Sequence, residues 1–138
     1  MQTRLEELLY DRDWLLADGA TGTNLFQAGL QSGDSPELWN ALFPNKITAL
    51  YQSAVDSGSD IFLTNTFGCN ASRLKLHNAE NRVFELNKLS ASLACEVAAK
   101  ANRPVVVAGS VGPTGEIFQP IGELSHEIAK HGVLTMLI

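Results

Sequence analysis

With 138 residues, 45% of them hydrophobic and 18% charged, the chain has room for one domain with a real core and lacks the composition of a disordered segment. A net charge of -5 with 10 scattered basic residues argues against a nucleic-acid partner, because neutralising phosphates needs clustered Lys and Arg. No apolar run reaches the roughly 20 residues of a transmembrane helix, and the start Met1, Gln2, Thr3, Arg4, Leu5 lacks the basic opening and apolar core of a signal peptide, so the expectation is a cytoplasmic protein with no membrane partner.

Leu5, Leu8 and Leu9 fall at helical spacing within residues 3–13, which predicts an amphipathic helix covering the bottom of a sheet. Residues 14–18 read as a first strand that opens at Trp14 and closes on Asp18. A short helix is predicted over 24–29, capped by Thr23 or Asn24 and stopped by Gly29. Another helical turn opens at Ser35 or Pro36 and contains Leu38 and Trp39. Over 44–58, Ile47, Leu50, Tyr51, Ala54 and Val55 form one apolar stripe, and Gly58 ends that helix. The second strand covers 60–63, and residues 70–77 read as a short helix or turn. A long helix over 80–101 sets Val83, Leu86, Leu93, Ala94, Val97 and Ala98 on one face, with Cys95 expected in the core; Arg103 and Pro104 break it before a third strand at 104–108. The tail from Glu123 starts near a capping-box pattern and finishes on the apolar Val133, Leu134, Met136, Leu137 and Ile138.

Continuously apolar strands alternating with helices predict an α/β fold with a parallel sheet buried on both faces. The long gaps between strands must each hold more than one helical segment. Doubly wound sheets and (β/α)8 barrels both fit, and both place ligand sites at the carboxyl ends of their strands. Three strands make a single partial domain of either fold.

Polar and glycine residues cluster just after each strand: Asp18, Gly19, Ala20, Thr21, Gly22 and Thr23; then Thr64, Asn65, Thr66, Phe67 and Gly68; then the stretch 109–116, which holds Gly109, Gly112, Pro113 and Gly115. All three would share one rim. A carboxylate at the end of a buried strand is costly unless paired. No Lys or Arg lies near Asp18 in sequence. It is therefore either a carboxylate awaiting a ligand cation such as an amino group, or an Asx-turn bonded to its own loop amides. Gly19 and Gly22 would let backbone amides approach a small anion, or simply make a tight turn. Thr64, Asn65 and Thr66 suit a neutral or zwitterionic small ligand, or a solvated strand end. Neither glycine loop matches GxGxxG or GxxxxGK[ST], which disfavours a nucleotide-phosphate cradle. The 109–115 loop reads as shape first and contact second. Cys69 and Cys95 lack CxxC spacing and read as free thiols; no His or Cys stands at metal-ligand spacing beside Cys69, which leaves it a spectator at the rim.

In order and spacing, the three strand-end motifs together resemble the N-terminal part of the homocysteine S-methyltransferases, from about residue 15 to about residue 126. The resemblance implies the N-terminal portion of a (β/α)8 TIM barrel, whose rim holds zinc bound by three cysteines. Zinc would bind homocysteine as a thiolate, which then takes a methyl group from a betaine-type or methylfolate-type donor. It also implies that Asp18 meets the homocysteine amino group, and that the amides around Gly19, Ala20 and Thr21 and the cluster Thr64, Asn65, Thr66 lie beside the amino-acid end. The family's zinc cysteines come from later strands, to which Cys69 and Cys95 do not correspond. No metal ligand or catalytic residue is therefore assigned within this sequence, and the expectation is an N-terminal fragment or truncated product, inactive alone. Two other readings remain: a non-enzymatic partial barrel that covers its open sheet edges by self-association or with a partner chain, and a barrel enzyme acting on a phosphorylated small molecule, disfavoured because the 109–115 loop has no basic residue.

Overall fold

A computed structural model describes residues 3–136 of the chain. Helix α1 (Arg4–Asp11) begins at a capping box, with Thr3 and Glu6 satisfying each other's backbone amides. After it come α2 (Thr21–Gln27), a 3₁₀ turn at Pro36–Leu38 running into α3 (Trp39–Leu42), and α4 (Pro44–Asp56). Strand β1 (Ile61–Leu63) is followed by α5 (Ala71–Leu74), two further 3₁₀ turns and the long α6 (Val83–Lys100), then β2 (Val106–Ala108) and α7 (His126–Met136). The two strands pair in parallel with Ile61 opposite Val106, Phe62 opposite Val107 and Leu63 opposite Ala108. The fold is α/β, with a small parallel sheet and mostly helical chain. Each predicted gap does hold several helical segments.

Helices α4 and α6 press on one face of the sheet. Ile47, Tyr51 and Val55 of the predicted stripe are buried with Phe62, Ala94, Val97 and Val105 in the main core, joined by Leu25, Leu30 and Trp39. Burying each such side chain contributes about 1.5–3 kcal/mol, which makes this face the main source of cohesion. A second cluster gathers Cys69, Leu74, Ala79, Val83 and Leu86 under α5 and the start of α6. Gly58, with φ +94, takes the left-handed conformation that ends α4, as expected of a C-terminal glycine.

The structure corrects several expectations. Residues 14–18 do not form a third strand; they contribute one parallel bridge, Ala17 to Ile61. The cause is Asp60: Leu16 O accepts from both Asp60 N and Ile61 N, while Leu16 N donates to the Asp60 carboxylate at 3.0 Å instead of a strand carbonyl. Nor is the sheet buried on both faces, because Leu63, on the face opposite the buried Phe62, is 39% exposed. Helix α2 starts three residues before its predicted beginning, at Thr21, with Ala20 as its N-cap in the left-handed region (φ 57) and no side-chain cap. Of the α1 leucines only Leu8 is buried, so this helix covers less of the sheet than its periodicity suggests. Cys95 is exposed, not core. The buried line of α6 is Val83, Leu86, Ser90, Ala94 and Val97, one row round from Cys95. In the tail, Ser125 Oγ caps α7 by accepting Ile128 N at 3.2 Å, and the apolar finish ends on Leu137 and Ile138, which lie outside the described residues.

Candidate functional site

The rim at the carboxyl ends of the strands is held together by direct bonds between the three polar clusters. Asp18 Oδ1 accepts Leu63 N at 3.2 Å, which ties the first cluster to the residue before the second. Thr64 Oγ1 accepts Ser110 N at 3.1 Å and Thr66 Oγ1 donates to Ser110 O at 2.8 Å, which ties the second to the third. The two threonine hydroxyls are themselves 2.7 Å apart.

Asp18 is half-buried and makes no ion pair among the described residues. Burial pushes its carboxyl above the ordinary aspartate range, against the weaker opposing effect of the Leu63 amide. The Asx-turn alternative is not what forms: its side chain bonds an amide across the sheet rather than those of residues 19–23. Ala20 holds a conformation that costs an L residue roughly 1–2 kcal/mol and turns the chain sharply from Asp18 into the first turn of α2.

Thr64, Asn65 and Thr66 are all buried. Asn65 is anchored from every polar atom the structure engages. Its backbone N donates to Tyr51 Oη at 2.7 Å and to Ser90 Oγ at 3.0 Å. Its side-chain Nδ2 donates to Pro36 O at 2.8 Å and to Asn40 Oδ1 at 2.9 Å, and its carbonyl accepts Asn40 Nδ2 at 3.0 Å. Both side-chain hydrogens are thus committed to the scaffold. Sequence reasoning missed Asn40, Tyr51 and Ser90 as polar anchors. Ser90 alone left a signal, as a hydroxyl interrupting the apolar row of α6; the Tyr51 hydroxyl was hidden inside an apolar stripe.

Glu37 was also missed. It is buried, accepting Gly68 N at 2.8 Å and Ser35 Oγ at 2.8 Å, and pairs with no cation among the described residues. Two of the cavities along α2 bear on the rim. One of about 310 Å³ is lined by Thr21, Gly22, Thr64, Asn65, Phe67 and Ser110, with Leu25, Pro36, Glu37 and Leu63. The other, about 130 Å³, holds Asp18 and Gly19 beside Asn24, Ser53 and Ser59. The structure therefore unites Asp18, Thr64, Asn65 and Thr66 on one rim but divides them: Thr21, Thr64 and Asn65 face the larger space and Asp18 and Gly19 the smaller, while Ala20 and Thr66 line neither.

The family model for homocysteine S-methyltransferase matches residues 15–134. The chain belongs to the homocysteine S-methyltransferase family. It is 31% identical, over 145 aligned positions, to a methionine synthase of Mycobacterium tuberculosis (strain ATCC 25618 / H37Rv), covering 93% of this chain and 12% of that protein. To a methionine synthase of Mycobacterium leprae (strain TN) it is 28% identical, covering 84% of this chain and 10% of the relative. Among solved structures it is similar to the homocysteine methyltransferase MmuM from Escherichia coli. The oxidized form gives a TM-score of 0.69 at 27% identity over 83% of this chain, and the metallated form 0.68 over 82%; each match spans 42% of the MmuM chain.

Membership in the homocysteine S-methyltransferases raises the question of zinc, and the described residues do not fit it. Among them no group of three or more His, Cys, Asp or Glu could hold a metal ion. Cys69 is fully buried, its thiol directed to Val83 O at 3.9 Å and pushed up to about 12 by burial and then by the charge of Glu37. A thiol so disfavoured as thiolate is a poor ligand and a poor nucleophile. Cys95 stands apart, exposed on α6. No helix among the described residues is long and apolar enough to cross a membrane.

Proposed function

We propose that this chain supplies the amino-acid-binding rim of a homocysteine S-methyltransferase, as the N-terminal portion of a (β/α)8 barrel. The observation that carries the reading is Asp18: a half-buried carboxylate one residue past the Ala17 bridge, with a raised pKa and no ion pair among the described residues, in a chain whose family is named for homocysteine. An ammonium group is the partner such a carboxylate lacks, and a charge-assisted hydrogen bond of that kind contributes about 1.5–3 kcal/mol. The main chain around Gly19, Ala20 and Thr21, at the uncapped start of α2, offers amide hydrogens toward the ligand's carboxylate. Thr64, Asn65 and Thr66 hold that rim in place through their bonds to Ser110, Tyr51, Ser90 and Asn40. The barrel reading draws support from the parallel pairing and from the exposed Leu63 on the face opposite Phe62.

In the whole reaction the homocysteine thiol takes a methyl group from a donor. No step of that transfer is assigned to residues of this chain. Titrating the protein with homocysteine and following backbone amide resonances tests the reading: shifts concentrated at residues 18–21 and 63–66 are expected. Shifts scattered away from the rim, or an affinity untouched by Asp18→Asn, overturn it. A methyl-transfer assay with zinc and this polypeptide alone is expected to show no turnover.

A further inference from the structure

Among the described residues two carboxylates are buried, Asp60 and Glu37. Asp60 has Arg12 and Arg103 beside it, whereas Glu37 has hydrogen bonds and no cation: Oε1 accepts Gly68 N and Oε2 accepts Ser35 Oγ, both at 2.8 Å. Each oxygen keeps room for a second donor. A buried charge without a counter-charge is costly, so the unfilled place on Glu37 calls for a cation. Glu37 lines a cavity of about 200 Å³ whose lining also includes Arg73. Arg73 makes no ion pair among the described residues, with Glu37 or with any other carboxylate. Its position is nevertheless set. The buried Asn70 accepts Arg73 N at 3.0 Å and donates to Pro113 O at 3.4 Å, which ties α5 to the glycine loop at 109–115. Gly115, with φ +82, lies against the guanidinium, since a Cβ there would stand 3.6 Å from Arg73 Nη1. One small cavity thus holds an anion and a cation that do not satisfy each other.

We propose that this cavity is a second binding site, for the zwitterionic head of an amino acid with an aliphatic side chain, its ammonium on Glu37 and its carboxylate on Arg73. A guanidinium matches a carboxylate with two parallel hydrogen bonds, and an ammonium brings the donors that the Glu37 oxygens still lack. Either charge alone is served badly: a simple anion on Arg73 would meet Glu37 and the nearby Asp34, and a simple cation on Glu37 would meet Arg73. Pro36, Phe67 and Leu76 add an apolar wall, the last two of them exposed, which suits an aliphatic side chain. The volume lies below the roughly 300–1,000 Å³ of sites for drug-sized ligands, so the guest is small. This cavity shares Pro36, Glu37 and Phe67 with the 310 Å³ cavity and no residue with the cavity of Asp18, and it stands apart from the homocysteine reading.

The test titrates leucine into the full chain, as wild type and as Asp18→Asn, and follows backbone amide resonances. Shifts at residues 34–37 and 67–77 are expected in both proteins, saturating in the millimolar range. Two analogues each remove one charge: 4-methylpentanoate lacks the ammonium and 3-methylbutylamine the carboxylate. Each should bind about tenfold more weakly than leucine, or worse, and glycine, without the side chain, severalfold more weakly. Arg73→Gln and Glu37→Gln should each cost about ten- to a hundredfold in leucine affinity, and Arg73→Lys should recover part of the loss. Arg73 is exposed, so its variants are expected to fold, and Glu37→Gln keeps an oxygen for Gly68 N; circular dichroism checks each. Absence of shifts at 34–37 and 67–77, an analogue that binds as well as leucine, or an affinity unchanged in Arg73→Gln overturns the site. Leucine shifts confined to 18–21 and 63–66 also overturn it and leave the homocysteine reading standing. Leucine bound here, with homocysteine absent from the rim, supports this site and removes that reading.

Discussion

Asp60 and Asp18 lie at opposite ends of the same pair of chain segments, and each bonds an amide of the other's segment: Asp60 takes Leu16 N at 3.0 Å and Asp18 takes Leu63 N at 3.2 Å. Their surroundings otherwise diverge. Asp60 sits 2.7 Å from Arg12 Nη1 and 3.5 Å from Arg103 Nη1, and its carboxyl is held below the ordinary range by the Leu16 amide first and the arginines after it. Asp18 has the amide and no arginine, and burial drives its carboxyl the other way. The same residue type is thus paired with arginines at the amino end of the sheet and has no ion pair among the described residues at the carboxyl end. The fold is closed at the bottom and chemically open at the top, which is where a parallel sheet keeps its ligands.

The comparison is broken most severely at the bottom. Asp60→Ala leaves Arg12 and Arg103 without their counter-charge and Leu16 N without its acceptor, and should lower stability by about 3 kcal/mol, read as a drop in the urea midpoint. A loss below about 1 kcal/mol would mean that the arginines simply turn to solvent, and that Asp60 closes nothing.

At the top the expected effect falls on binding. Asp18→Asn keeps an oxygen for Leu63 N and removes the charge, so homocysteine affinity should fall by about ten- to a hundredfold, the worth of a charged hydrogen bond. Because burial raises the Asp18 pKa, ionising it costs the folded state, and the same variant should be as stable as wild type at neutral pH or slightly more so. A large destabilisation with no change in affinity would make Asp18 a structural residue like Asp60.

Much of this was legible in the sequence, because its signals were local. The stripe of α4 named Ile47, Tyr51 and Val55, and the strand-end clusters named Asp18 and residues 64–66. Most of the lapses trace to a side chain from elsewhere in the chain; the early start of α2 is local. Residues 14–18 have a strand's composition, yet Asp60 takes the amide that would extend the ladder. Helix α2 opens early because Ala20 adopts a left-handed turn that no cap residue announces. Asn40 and Glu37 sit in short helical turns where polarity suggests solvent, and only the return of the 64–68 segment buries them.

The two carboxylates should also part company as pH falls. Asp60 has a lowered folded pKa, so its stabilisation is present above its unfolded value near 3.8 and is lost as pH drops through the folded value. Asp18 has a raised one, so its penalty is present above the folded value and is relieved as pH drops toward 3.8. Comparing urea midpoints across acidic pH for wild type and each variant separates them. Asp60→Ala should flatten the acid loss, while Asp18→Asn should steepen it slightly, since the opposing relief is gone. Equal slopes in wild type and Asp18→Asn would place the Asp18 pKa at its ordinary value and remove the argument that its charge is waiting for a partner.

The smallest expected effect concerns the ledge between them. Tyr51 Oη and Ser90 Oγ both accept Asn65 N, at 2.7 and 3.0 Å, and lie 2.7 Å from each other. With two acceptors for one amide, Tyr51→Phe leaves Ser90 in place, so the loss should be about 1 kcal/mol rather than that of a stranded buried amide. Homocysteine affinity should stay within about twofold, because the side chain of Asn65 remains fastened to Pro36 and Asn40. A tenfold fall in affinity at that small cost in stability would show that the rim is tuned through Tyr51. The contrast between a self-contained base and an open top would then run through the core as well as along the sheet.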